Sequence, residues 1–124
     1  MPKRHLIFIG LATSLFLALL FLPEPATAQE VLMDGEIPLM EGARVVQEKV
    51  EGSMGHFVLE VPASVADVVD FYRQAMADQG WPPGSVSTIG DRGAIMLNDG
   101  QRQFALRAER ENDHTKVILM LTGP

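Results

Sequence analysis

Cysteine is absent from this 124-residue sequence. That absence excludes disulfide bonds, thiolate nucleophiles and cysteine-ligated metal clusters. It also excludes a lipid-modified N-terminus, because that modification needs a thiol at the cleavage site. Positive charge is scarce as well, since ten Lys and Arg face sixteen Asp and Glu for a net charge of −6. With neither a basic stripe nor interleaved aromatic residues, the chain is not expected to bind nucleic acid.

One long hydrophobic run is present, and it lies near the N-terminus at residues 6–22. Lys3 and Arg4 precede it, and two prolines follow it. A short cationic start, an apolar stretch and a helix-breaking end predict a signal peptide over residues 1–28. A retained membrane anchor is the alternative, because a run of this length is just sufficient to cross a bilayer.

The predicted cleavage site follows Ala28, because Ala26 and Ala28 fit the A-x-A rule. Gln29 then becomes the first mature residue. We expect a periplasmic or secreted protein with no stable membrane anchor after cleavage. Its length allows an extended arm over residues 29–42 and a single domain over residues 43–124.

The domain begins with two strand-like segments. β-Branched residues predict a strand over residues 43–50, and a glycine-containing turn leads to the stretch HFVLEV at 56–61. There, apolar and polar residues alternate with the period of a half-buried strand. The two segments therefore predict a hairpin.

A single amphipathic helix follows, with start and stop signals at its ends. Ser64 and Asp67 form a variant of the capping box. One apolar arc contains Val65, Val68, Val69, Phe71, Tyr72, Ala75 and Met76. Gly80 favours the left-handed conformation that closes a Schellman motif, which places Trp81 where it folds back on Met76. We interpret this stretch as a helix with its stop signals rather than as a chemical site.

Four more strand-like segments follow the helix, and two turns set their expected registers. If Asp99-Gly100 closes a tight turn, Ile95 faces Phe104. If Asn112-Asp113 closes the next one, Phe104 faces Leu121 and Glu109 faces Lys116. The sequence thus predicts an α+β domain of two layers, with one helix on a largely antiparallel sheet in the order β-β-α-β-β-β-β.

Successive side chains of a strand point to opposite faces of the sheet. This alternation assigns a second apolar set to the sheet face away from the helix, here called the outer face. Its expected members are Val58, Ala94, Met96, Ala105, Ile118 and Met120, with Gln103, Arg107, Glu109 and Lys116 at the rim. An apolar patch within a polar rim is typical of an interaction surface, for a protein partner or for a homodimer. The alternative is that the arm folds back and covers this face with Val31, Leu32, Ile37 and Leu39. A one-residue slip in register would exchange the two faces.

Residues suited to catalysis are few. His56 falls on the polar side of a predicted strand and His114 in a predicted turn, so both are expected to face solvent. The run around Ser53 lacks the spacing of a nucleophile elbow. We therefore expect no enzyme, no catalytic residues, no cofactor and no metal. The alternative is a soft-metal site for copper, built from Met54 and His56 with Met33 and Met40.

The chain resembles small uncharacterised exported bacterial domains, many of them lipoproteins. The shared features are Pro38, Gly42-Ala43, Phe71-Tyr72 and Gly80-Trp81, and the similarity covers roughly residues 37–122. The resemblance implies an envelope or secreted location and no activity. This chain departs from the lipoprotein members because it lacks their cysteine.

Two functions follow as expectations. The first is a non-catalytic exported module that binds a protein partner or itself. The alternative is a periplasmic protein that binds a small molecule or copper, using a cleft between the helix and the sheet edge.

Overall fold

A computed structural model describes residues 31–33 and 35–124. The predicted signal peptide and its cleavage site lie outside these residues. Across the described ranges, no helix combines the length and the apolar character needed to cross a membrane.

The described residues form a small hairpin, a helix and a larger sheet. The hairpin consists of β1 (Val31–Leu32) and β2 (Ile37–Pro38), and the helix is α1 (Val65–Asp78). The sheet contains β3 (Arg44–Glu51), β4 (Met54–Val61), β5 (Ser85–Ile89), β6 (Arg92–Asn98), β7 (Gln103–Glu111) and β8 (His114–Thr122). Its spatial order is β3-β4-β8-β7-β6-β5, and every neighbouring pair is antiparallel. The predicted α+β class and the order β-β-α-β-β-β-β are therefore confirmed.

The ends of α1 follow the signals in the sequence. The Ser64 hydroxyl accepts a hydrogen bond from the Asp67 amide at 3.0 Å. At the other end, Gly80 adopts a φ of 99°. The Trp81 amide donates to the Met76 carbonyl at 3.1 Å and the Gly80 amide donates to the Ala77 carbonyl at 2.9 Å. These two bonds form a Schellman motif, as predicted.

The helix packs its apolar arc against the strands at one side of the sheet, and α1 contacts β5, β6 and β7. Its buried residues are Val65, Val68, Val69, Tyr72 and Met76. Gly93 on β6 permits the close approach, because a Cβ at that position would come within 2.5 Å of Val69 Cγ2. This side of the sheet is the hydrophobic core, and it includes Phe104 and Leu121.

The turn at Asn112-Asp113 has the predicted register. Glu111 faces His114 across it, Phe104 faces Leu121 and Glu109 faces Lys116. Asn112 adopts a φ of 54°, the left-handed conformation that a two-residue hairpin turn requires.

The register predicted for Asp99-Gly100 is wrong by two residues. Asn98 faces Gln103, so the loop spans residues 99–102, and Ile95 faces Leu106 rather than Phe104. The Asp99 carboxylate accepts the amides of Gln101 and Arg102 at 2.9 and 2.6 Å. These bonds satisfy the two backbone amides, which in a tighter hairpin would instead donate across the strands. A shift of two residues leaves every side chain on its predicted face.

The N-terminal hairpin packs on the helix side of the sheet and not on the outer face. Leu32, Ile37 and Leu39 are buried in the core that also holds Tyr72. The buried Tyr72 hydroxyl donates to the Pro38 carbonyl at 2.7 Å, and burial raises the pKa of this phenol. The alternative in which the arm covers the outer face is therefore wrong. A buried tyrosine hydroxyl needs an acceptor, and the hairpin supplies it.

A further link joins the hairpin to the loop after β6. The Arg102 guanidinium contacts the Glu36 carboxylate at 2.9 Å and the Asp99 carboxylate at 3.7 Å. Its Cζ atom lies 5.1 Å from the centroid of the Trp81 ring, a cation–π arrangement. Arg102 therefore connects three segments that are distant in sequence.

Candidate functional site

The outer face is built from two rows of side chains that cross the sheet. In one row Val58 faces Ile118, Ile118 faces Arg107, and Arg107 faces Ala94. In the next row His56 faces Met120, and Ala105 lies between Met120 and Met96. All six apolar residues predicted for this face are thus on it together, because each strand has the expected side-chain alternation.

The outer face is partly exposed. Met96 and Met120 are 54% and 40% exposed, while Val58, Ala105 and Ile118 are half-buried by their neighbours. Large apolar side chains left open in adjacent positions are characteristic of interaction surfaces.

Ile89 and Arg92 also lie on this face, although the sequence pattern did not assign them to it. Ile89 at the end of β5 is 79% exposed and pairs with Arg92, which lies on the outer face in line with Glu109. The signal was Gly90-Asp91, a dipeptide that often closes a two-residue hairpin. That turn would have set the register between β5 and β6.

A row of alternating charges borders the apolar residues. Arg44, Glu60, Lys116, Glu109 and Arg92 face one another in that order across five strands. Arg44 forms an ion pair with Glu60, and Arg92 Nε lies 3.9 Å from Glu109 Oε2. The hydrogen bond from Arg44 lowers the pKa of Glu60 below its usual value. Opposite charges in directly facing positions favour this register over its alternatives.

A cleft of about 500 Å³ lies on the outer face where this row meets the apolar residues. Ile89, Ala94 and Ile118 form much of its apolar lining. Its charged lining consists of Arg92, Arg107 and Lys116, with Glu109 as the single carboxylate. The cleft thus carries an excess of positive charge in a chain that is acidic overall. Such a surface attracts an anionic group attached to an apolar one.

His56 and His114 are less exposed than expected. His56 is half-buried on the outer face, beside Met120. His114 is also half-buried, and its ring nitrogens lie 3.3 to 3.8 Å from the carboxylates of Asp113, Glu111 and Glu60. No group of three or more His, Asp or Glu side chains in the described ranges is arranged to hold a metal ion.

The four residues of the copper alternative do not meet at one place, although Met54 and His56 lie two residues apart on the same side of β4. His56 lies on the outer face. The Met33 sulfur occupies the space over Gly55 on the helix side, next to Phe57. Met40 packs against the core. The sheet therefore separates His56 from the Met33 thioether.

Comparison with known proteins shows the family. The START domain-like family profile matches residues 43–117. The chain belongs to the START domain-like family. The match begins just before β3 and ends within β8, so it includes the helix and five of the six strands in full. No curated protein and no solved structure matches the chain.

In this START domain-like protein the two sides of the sheet differ sharply. The helix side is filled by α1, by the β1–β2 hairpin and by large side chains such as Phe57, Tyr72 and Phe104, all of them fully buried. The outer face has no such cover from the described residues. The candidate site is therefore the outer face with its cleft.

Proposed function

We propose that this START domain-like protein is a non-catalytic exported module that binds a protein partner through the outer face. The observation that carries the proposal is the apolar set that the described residues leave uncovered on that face, since the N-terminal hairpin packs on the opposite side. Family membership agrees with a binding role. Export is inferred from the signal-peptide pattern and from the resemblance to exported bacterial domains.

The arrangement suits a protein partner physically. Met96 and Met120 have flexible, polarisable side chains that adapt to an opposing surface. Around them, Gln103 and Lys116 provide the polar rim that is common at protein interfaces. Arg107, predicted at the rim, instead lies within the face between Ile118 and Ala94. Burial of the two methionines supplies affinity, and the rim supplies specificity.

The experiment is an Ile118→Lys substitution, with Gln103→Lys as the matched control. Ile118 is half-buried at the centre of the outer face, whereas Gln103 is exposed at its rim. A lysine at position 118 can extend its amine to water, so we expect a melting temperature close to that of the wild type. Pull-down from the native envelope should recover a partner with wild type and with Gln103→Lys, but not with Ile118→Lys.

The proposal fails if Ile118→Lys captures the same proteins as wild type. It also fails if every protein captured by wild type is captured by Ile118→Lys as well. A variant that loses folding would be replaced by Met120→Lys, because Met120 is 40% exposed and lies two residues along the same face.

The cleft supports a second candidate, the binding of an amphipathic anion such as a long-chain carboxylate. Three cations beside two isoleucines are the observation that favours it. Titration with dodecanoate should show saturable binding that Arg107→Gln weakens, whereas dodecanol, which lacks the carboxylate, should not bind measurably. Equal binding of the acid and the alcohol would exclude this candidate.

A further inference from the structure

The two edges of the six-stranded sheet are protected to different degrees. β3 forms one edge, and it carries Arg44, Glu48, Lys49 and Glu51 as well as an irregularity between Val45 and Gln47. Charged side chains and bulges are the usual devices by which an edge strand avoids pairing with another chain. β3 is therefore a protected edge.

β5 forms the other edge and has none of these devices. Its sequence Ser85–Ile89, SVSTI, contains no charge and no proline, and its register with β6 is regular over all five residues. Every residue of β5 is exposed, including Val86 at 41% and Ile89 at 79%. Within the part of the chain that the structure describes, no strand pairs with the edge of β5 that points away from β6. An exposed, regular and uncharged edge is a template for strand addition.

We propose that β5 pairs antiparallel with β5 of a second copy of this chain, about a two-fold axis that passes through Ser87. Ser87 then faces Ser87 of the second copy, Ser85 faces Ile89, and Val86 faces Thr88. The two six-stranded sheets join into one continuous sheet whose outer faces are on the same side.

Charge does not oppose a second copy at the β5 edge. The whole chain is acidic, so most of its surface repels a second copy. Along β5 all five facing pairs join uncharged side chains, and no like charges are opposed. This edge is thus a strip on which two acidic chains can approach without a direct charge clash.

Symmetry also limits the assembly to two copies. An isologous contact uses the same edge on both chains, so it closes on itself. Open-ended growth would need β5 to pair with β3, and the charges and irregularity of β3 oppose that contact. The expected product is a dimer and not a fibre.

The position on the axis provides a test that depends on the proposed register. Ser87→Lys places two positive charges opposite each other, and Ser87→Glu places two negative charges there. Each variant alone should dimerise at least about tenfold more weakly than wild type, because like charges across an interface oppose binding. A mixture of the two should recover dimer formation, because a lysine then faces a glutamate. Ser87→Ala is the uncharged control and should dimerise like wild type.

Sedimentation over a range of protein concentrations measures the mass of each sample, and amide hydrogen exchange at residues 85–89 reports the new backbone bonds. The expected result is a wild-type dimer with slowed exchange at β5 and an Ile118→Lys dimer that is unaffected. A wild type that stays monomeric overturns the proposal. A dimer that Ser87→Lys does not weaken overturns it as well, and so does a weakened pair of variants that fails to recover on mixing.

Discussion

Gly80 has a backbone conformation that ends α1. Its φ of 99° allows the Trp81 amide to reach back to the Met76 carbonyl. A Cβ at this position would meet no atom within 4 Å, so substitution acts on the backbone alone. Gly80→Ala should therefore lower the free energy of unfolding by about 1 kcal/mol, through the left-handed strain on a residue with a side chain. Denaturant midpoints measure this change.

Gly80→Asn is the matched control, because asparagine tolerates the left-handed region better than alanine does. It should cost less than Gly80→Ala. If the two variants had the same stability as wild type, the Schellman closure would not contribute as described.

At the scale of elements, the contact between α1 and β6 depends on Gly93. A Cβ there would approach Val69 Cγ2 within 2.5 Å and Val65 Cγ1 within 3.1 Å. Gly93→Ala should lower the free energy of unfolding by about 1–3 kcal/mol, since the helix must move or repack. In a Val69→Ala background, where the nearer methyl group is absent, the same substitution should cost clearly less. Equal costs in both backgrounds would contradict the close packing of helix and strand.

The loop over residues 99–102 should respond to acid. The amides of Gln101 and then Arg102 donate to Asp99, and these hydrogen bonds lower the pKa of its carboxyl below the usual 3.8. A lowered pKa in the folded state means that ionised Asp99 stabilises the fold above the usual pKa. This contribution is lost as the pH falls through the lower value.

Asp99→Ala should therefore be less stable than wild type at about pH 7 and nearly equal to it at about pH 2, because the protonated carboxyl no longer contributes there. Denaturant midpoints of both proteins across this range give the comparison. A stability difference that is constant with pH would show that the carboxylate does not interact as the structure indicates.

The two hairpins after β6 show what local sequence could and could not predict. Asn112-Asp113 closes a two-residue turn, so turn chemistry alone gave the register of β7 with β8. At Asp99-Gly100 the side chains of Asn98 and Asp99 bond to the following amides and widen the loop by two residues. Such side chains can bond to nearby amides, or those amides can pair across the two strands instead. The choice depends on the surrounding strands, and the local sequence does not specify it.

At the scale of the whole molecule, the assignment of side chains to the two faces was predictable and the position of the arm was not. The alternation of residues in β4, β6, β7 and β8 assigns Val58, Met96 and Ile118 to the outer face without any tertiary information. The arm has no regular period, and its position depends on contacts such as the Tyr72 hydroxyl with the Pro38 carbonyl. Long-range contacts of that kind leave no local pattern in the sequence.

The predicted export of the chain depends on its N-terminal residues 1–28. If the signal peptide is removed after Ala28, the intact mass of exported protein corresponds to residues 29–124. Mass spectrometry of protein from the periplasm or medium decides this. A mass that includes residues 1–28 would instead indicate a retained N-terminal segment.

The fluorescence of Trp81 can report on the position of the N-terminal hairpin. Trp81 is the single tryptophan of the chain, and its indole is 7% exposed beside Phe104 and beneath the Arg102 guanidinium. Because Arg102 also contacts Glu36, we expect that release of the N-terminal hairpin from a folded sheet would change the electrostatic field at the indole. Fluorescence emission can therefore distinguish undocking of the hairpin from global unfolding, without any attached dye.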